Sequence, residues 1–254
     1  MSRRAAQAQA AYVLHRYDWS ETSLILDLFT RDLGRVTVAA KGAKRPYSQL
    51  RPVLLPFQRL NVSFGRSTGE DAAEVQTLRQ AEWAGGAPML SGASLFSGFY
   101  LNELLMKLLA RHDAHAQLFD AYADSLPALA TGGDVEQAGL RAFELVLLRE
   151  LGLLPDLSTT TLGGNELDPE RLYALRPEVG VALLRDPDDP GCSGAAFTAL
   201  QAALQHGSIP ALQARCLPVL PVLRPQLRSL LHYHLGSPQL RTRQVMLDVQ
   251  RLLD

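Results

Sequence analysis

Cysteine, lysine and long apolar runs are scarce in this 254-residue sequence. Only two cysteines occur, Cys192 and Cys216, and neither has a Cys or His neighbour at metal-ligand spacing. That excludes a Cys-rich zinc site and argues against a disulfide framework, leaving two incidental thiols as the expectation. No stretch approaches the ~18 uninterrupted apolar residues of a membrane span. The opening Met1-Ser2-Arg3-Arg4, followed by alanines and glutamines, lacks the hydrophobic centre of a secretory leader. It is expected to be a frayed tail over residues 1–10 of a cytosolic protein. P-loop, G-x-G-x-x-G, G-x-S-x-G and H-E-x-x-H motifs are all missing, which points to a protein that binds rather than catalyses.

What is present is ordinary for a globular chain: 47% hydrophobic and 20% charged residues, enough apolar side chains for a core. The length suggests two packed units. The net charge of −1 conceals a segregation. Residues 1–66 hold eleven Lys/Arg against four Asp/Glu, a surplus of seven, while the other 188 residues hold 14 against 22. Such asymmetry is the footprint of one region that meets a polyanion and another that does not.

The first eighty residues alternate with the period of a strand. Leu24, Leu26 and Leu28 share one face, Val36 and Val38 another, and Leu60, Val62 and Phe64 repeat the pattern. Further strands are expected near Tyr12–Arg16 and Glu74–Leu78, with turns at Arg31–Gly34 and a polar loop from Gly65. Five short strands in this length fit a small barrel of the OB type, with a small SH3-like barrel as the competing arrangement. The period changes after Gly85. Leu101, Leu104, Leu105 and Leu108 form an i, i+3, i+4, i+7 stripe, and further helices are expected over 119–129, 135–151, 197–204 and from Pro218 onward. Residues 157–195 form a loop-rich insert with two weak strands near 172–175 and 179–184. The expected class is therefore α+β: an OB-fold over 11–82, then a helical domain over 83–254 with a small irregular insert.

The clearest constellation is Arg35, Lys41, Lys44, Arg45, Tyr47 and Arg51. Two of the three lysines of the sequence lie within four residues here. Cations on a loop beside a barrel can follow a phosphate backbone, and Tyr47 supplies a ring for base stacking. Gly42 would let the backbone approach a ligand. Asp18 and Glu21 are a conceivable carboxylate pair, but no third group sets their roles. The six histidines are scattered, and His112 with His115 lacks an acidic or Cys partner. On a later helix, Arg141, Leu145 and Leu148 share a face edged by Leu140, Phe143 and Leu147, which by pattern alone makes Arg141 a snorkelling arginine on a core helix.

Several strings have a known counterpart. Ala11 to Thr30, Gly34-Arg35-Val36, Ala40-Lys41-Gly42-Ala43, Leu54-Leu55-Pro56-Phe57, Leu95 to Leu105 and Leu140-Arg141-Ala142-Phe143-Glu144 resemble the bacterial RecO recombination mediators, in order and spacing, from about residue 10 to 155. The resemblance implies an N-terminal OB-fold, a helical C-terminal domain and an insert that often holds a four-cysteine zinc finger. Here only Cys192 remains in the insert, so a degenerate finger without zinc is expected, with no cofactor. It implies binding of single- and double-stranded DNA, annealing of complementary strands, and partnership with RecR and with the acidic, phenylalanine-terminated C-terminal tail of single-stranded DNA-binding protein (SSB). A functional link to RecA, loaded on SSB-coated strands in the cytoplasm at the nucleoid, is implied as well. The arginine that meets the tail's carboxylate falls on Arg141. Leu104, Leu105, Leu145 and Leu148 are the expected apolar surroundings.

Overall fold

The computed structural model describes residues 8–65, 75–85, 88–186, 189–236 and 240–253. Residues 1–7 of the expected tail and most of the polar loop after Gly65 lie outside the described residues. Gln9 and Ala10, expected in that tail, already belong to the first strand. Contacts divide the chain into two compact units, Met1–Ala123 and Asp124–Asp254.

The first unit is built on strands β1 (Gln9–Asp18), β2 (Leu24–Thr30), β3 (Gly34–Ala40), β4 (Leu60–Phe64) and β5 (Gln76–Trp83). They close a barrel in the order β1-β2-β3-β5-β4, with β4 returning to β1. The closing pair β3–β5 is parallel and all other pairs are antiparallel, which is OB-type rather than SH3-like topology. Closure leaves no free sheet edge to aggregate. The alternating residues do what their period demands: Val13, Leu26, Leu28, Val36, Val38, Leu60, Val62 and Leu78 fill the interior, with Ala43 and Leu54 of the β3–β4 connection plugging one end. The last strand runs to Trp83 instead of ending near Leu78.

Two helices extend this unit: α1 (Ala93–Leu108) and the first half of α2 (Ala116–Thr131). The expected domain boundary at 82 differs from the contact boundary because the barrel is apolar outside as well as inside. Tyr12 and Phe29 point away from the interior and pack on Phe119 and Tyr122, with ring centroids 4.9–6.4 Å apart. All four rings are fully or almost fully buried, so the helical segment completes the barrel's packing. A forked ion pair from Arg31 Nε and Nη2 to the Asp120 carboxylate (3.0 and 2.8 Å) fastens the same layer.

The second unit centres on α3 (Gly133–Glu150), which is buried on nearly every side from Ala138 to Leu148. Around it lie α4 (Gly194–His206), α5 (Ile209–Cys216), a 3₁₀ turn at Leu217–Val219 and α6 (Leu220–Leu235), followed by α7 (Arg241–Leu253). Helix α5 was not expected. Ser193 and Ser208 cap α4 and α5 by accepting from Ala196 N (3.2 Å) and Ala211 N (3.4 Å), and Gly207 ends α4 in the left-handed region. The insert contains a three-stranded sheet, β7-β6-β8, from β6 (Leu172–Arg176), β7 (Gly180–Leu183) and β8 (Cys192–Ser193). Buried Leu157, Leu167, Tyr173, Leu175, Val181 and Cys192 give it an apolar centre. Leu175 N donates to Gln226 Oε1 of α6 at 2.9 Å. Among the described residues, no group of three His, Cys, Asp or Glu is placed to hold a metal ion, and no helix is long and apolar enough to cross a membrane.

Candidate nucleic-acid interface

The geometry of the barrel mouth begins with a bulge. In β1, Val13 faces Leu28, but His15 faces Asp27, so one extra residue lies between them. A shift of one residue exchanges the two faces of a strand. After the bulge Arg16 is paired with Leu26 and Asp18 with Leu24, on the side of the barrel interior, while His15 and Tyr17 lie on the outer side with Asp27 and Ile25. Two charged side chains thereby arrive at the open end of the barrel. The outer side is satisfied internally: Asp27 accepts from Thr37 Oγ1 (2.8 Å) and Tyr17 OH (3.3 Å). Burial, reinforced by the Asp27 charge, raises the Tyr17 phenol above its usual range.

The β3–β4 connection supplies the facing wall. It is a series of turns with no helix. Its start is tied to the β1–β2 turn, Gly42 N donating to Ser23 Oγ (3.3 Å) and Lys44 N to the Thr22 carbonyl (2.9 Å). Lys44 Nζ meets Asp18 Oδ1 at 3.0 Å, so Asp18 is engaged with a lysine and not paired with Glu21. Arg16 Nη1 donates to the Leu54 carbonyl at 3.2 Å. Arg16, Asp18, Leu24, Ala43, Lys44, Arg51 and Leu54 line an open groove of about 490 Å³. Arg51 of this lining is exposed, as are Lys41, Arg45 and Tyr47 of the same connection, Tyr47 to 96%. Trp19, in the facing β1–β2 turn, is 57% exposed.

Of the cations expected in this cluster, Lys41, Lys44, Arg45 and Arg51 share one connection, with Tyr47 among them. Arg35 is not brought to them. It stands at the other end of β3, six residues from Lys41 or roughly 20 Å along an extended strand. There its Nη1 donates to the Met106 carbonyl in the last turn of α1, where a cation complements the negative helix end. Arg16 and Asp18 were not singled out as part of the cluster. Their placement follows from the bulge, which the alternation of β1 does not reveal.

In the second unit, Arg141 Nη2 lies 2.7 Å from Glu144 Oε1 one turn later, and both side chains are buried. Arg141 Nε is buried without a hydrogen-bond partner among the described residues. Leu145 and Leu148 of α3 are fully buried core residues of this unit, and Leu104 and Leu105 of α1 are fully buried core residues of the first. None of the four, expected from the resemblance as apolar surroundings of a docked tail, offers surface to a ligand.

Comparison with known proteins settles the family. The profile described as "Recombination protein O N terminal" matches residues 4–87, and "Recombination protein O C terminal" matches 90–244. The chain belongs to the RecO family. The RecO match thus extends well past residue 155 and takes in the cysteine-poor insert. The chain is 50% identical to "DNA repair protein RecO" of Albidiferax ferrireducens over 254 residues, 99% of each chain. It is 50% identical to the protein of that name from Polaromonas sp. over 246 residues, 96% of this chain and 97% of the relative. The protein of that name from Acidovorax ebreus is 49% identical over 263 aligned positions, covering 99% and 100%. The expected fold, an OB barrel followed by helices, and the expected membership in a family of DNA repair proteins both stand.

Proposed function

We propose that this chain is a recombination mediator without catalytic activity or cofactor, acting in the cytoplasm on nucleoid DNA. It binds single- and double-stranded DNA, anneals complementary strands, and helps RecA onto SSB-coated strands together with RecR. One observation carries the proposal: Lys41, Arg45, Tyr47 and Arg51 stand exposed on a single connection at a barrel mouth, none of them ion-paired with a described residue. Uncommitted cations neutralise phosphates on two strands, lower their mutual repulsion and so permit pairing without an energy source. The names of the relatives, all DNA repair proteins, agree with this chemistry.

The test is annealing of complementary strands, bare or coated with SSB, by wild type and by the Lys41→Ala/Lys44→Ala/Arg45→Ala variant. Binding is expected to weaken steeply with salt, and the variant to lose affinity with a shallower salt dependence, by about one phosphate each for Lys41 and Arg45 and less for Lys44, which Asp18 already engages. A variant that binds and anneals like wild type would place the activity elsewhere.

A second reading, an adaptor that docks on the SSB tail with only incidental DNA contact, is favoured by Arg141. A buried guanidinium with an unsatisfied Nε, already holding one carboxylate, has the chemistry to hold another. Docking there must open the core around Arg141, since the neighbouring leucines are covered. Under this reading, annealing of SSB-coated strands depends on the tail, while annealing of bare strands does not.

A further inference from the structure

The acidic surplus outside the first quarter of the chain is itself unevenly placed. Residues 157–189 hold seven Asp/Glu against three arginines, whereas residues 190–247 hold five arginines, three histidines and no acidic residue. The second unit therefore has an acidic part and a cationic part. Two of the five arginines, Arg224 and Arg228, lie on α6. Leu223, Leu227, Leu230 and Leu231 form the packed side of that helix. The 3.6-residue period then turns Arg224, Arg228, Ser229, His232 and Tyr233 onto its flank and outer face. Arg224 and Ser229 are exposed, Tyr233 to 54%, while Arg228 and His232 are half-buried. Arg224, Arg228 and His232 follow one another at four-residue steps, about 6 Å apart along the helix.

The β6–β7 turn faces this helix. Leu175 N donates to Gln226 Oε1 at 2.9 Å and ties the two together. An open groove of about 670 Å³ runs between them, with Arg176 and Glu178 on one lip and Ser229, His232 and Tyr233 on the other. Arg176 is exposed. Neither Arg176 nor Arg224 makes an ion pair or side-chain hydrogen bond with a described residue, so an arriving anion breaks no existing contact.

We infer that the outer face of α6, with Arg176 across the groove, is a second site for the DNA backbone, carried by the second unit. The inference rests on DNA binding as proposed above and adds a second place for it. A row of cations at one-turn spacing, about 12 Å from Arg224 to His232, answers a row of phosphates rather than one isolated anion. Guanidinium groups fork onto phosphate oxygens. The exposed Tyr233 ring beside them offers a face to an unpaired base. Glu178 repels phosphates from the opposite lip and confines the backbone to the α6 side. Two DNA sites on one chain turn the meeting of two strands into an event within one complex, at a raised effective concentration. Annealing then depends on α6, whereas binding of one short strand does not.

The test applies three measurements to the full-length chain: anisotropy of a short labelled single strand, energy transfer between donor- and acceptor-labelled strands that are not complementary, and the annealing rate of complementary strands. Arg176→Gln/Arg224→Gln changes two exposed residues and is expected to keep the fold, with short-strand affinity within about two-fold of wild type. Energy transfer, which reports two strands on one particle, and the annealing rate are each expected to fall about ten-fold, with a salt dependence shallower by about two phosphates. Lys41→Gln/Arg45→Gln is expected to weaken short-strand binding, and the residue of that binding to vanish when the Arg176 and Arg224 substitutions are added. Native energy transfer and annealing in the Arg176/Arg224 variant overturn the second site, as does the absence of energy transfer with wild type. An equal loss in all three measurements overturns it too, because α6 would then belong to a single site. A variant that stops binding an oligoglutamate peptide but bridges DNA normally would assign the face to an acidic protein segment and overturn the inference. If the Lys41/Arg45 variant binds like wild type while the α6 substitutions abolish binding, the barrel reading fails and the α6 site stands.

Discussion

The side-chain amide of Asn102 stands 3.0 Å from the carbonyl oxygen of Leu14, the residue at the bulge of β1. The same Nδ2 also reaches the Val13 carbonyl (3.5 Å), and Oδ1 accepts from Tyr122 OH at 2.7 Å. A buried helix side chain thus supplies the donor that the interrupted ladder cannot, and it does so where the parity of β1 changes.

Replacing Asn102 by Leu is therefore expected to act twice. Leaving the Leu14 carbonyl and Tyr122 hydroxyl buried without this partner costs about 1–3 kcal/mol, a drop readable as a lower urea midpoint. Loss of the bulge's anchor also loosens the placement of Arg16 and Asp18, so single-strand affinity is expected to fall although Asn102 touches no groove residue. A variant that loses stability but keeps native single-strand affinity would show that the strand holds its register without this clamp.

Gly34 gives a second, sharper stability test. Its φ is +68°, and a Cβ built on it would lie 1.8 Å from the Asp113 carbonyl oxygen. Two costs are therefore superimposed in Gly34→Ala: the left-handed backbone, on the order of 1–2 kcal/mol, and displacement of main chain. Gly85 has φ +80° with no atom of the described residues within 4 Å of such a Cβ, so Gly85→Ala is expected to carry the first cost alone. Gly34→Ala is expected to lower the melting temperature clearly more than Gly85→Ala. Equal shifts would mean that the 110–115 connection yields freely.

These two cases show what the sequence revealed and what it withheld. Alternation at Leu24, Leu26, Leu28, Val36 and Val38 identified the barrel interior, because a strand with one buried face must repeat every two residues. The cation loop was visible as composition. The bulge at Leu14 was not, since its anchor Asn102 lies 88 residues away and no local pattern encodes it. Arg16 and Asp18 were hidden for the same reason. Arg35 was misgrouped because nearness in sequence ignores the length of an extended strand. The short α5 escaped notice because its eight residues show too few turns for a 3.6 period. The four leucines near Arg141 were legible as apolar, but pattern cannot say whether an apolar stripe faces the core or an open groove.

The two thiols give a pH prediction. Burial pushes Cys192 up to about 11 and Cys216 up to about 12. The folded state therefore holds these protons more tightly than the unfolded chain, whose thiols titrate near 9. Their contribution to stability is complete below about pH 9 and is lost as pH rises toward 11 and 12. Chemical denaturation at stepped alkaline pH is expected to show this decline, and Cys192→Ala/Cys216→Ala to flatten it. At neutral pH a thiol reagent is expected to leave the native protein unmodified and to label two sites in urea. Rapid labelling of the native chain would contradict the burial.

Arg141 and Glu144 pose the last problem, because each is structural for the other. Both are buried, 2.7 Å apart, and Cys216 lies close enough for its titration to sense both charges. Breaking a buried ion pair by removing one partner costs about 3–5 kcal/mol, whereas replacing both by apolar residues of similar volume is close to neutral. Arg141→Met and Glu144→Met are thus each expected to destabilise strongly, and the double variant to recover most of the loss. This cycle also separates the two readings of Arg141. A single variant that fails to bind an SSB-tail peptide is uninformative if it is partly unfolded. The double variant keeps the fold and lacks the guanidinium, so loss of peptide binding in it alone assigns the carboxylate contact to Arg141. Native peptide affinity in a folded double variant would leave Arg141 a purely structural residue, and the tail would have to dock elsewhere.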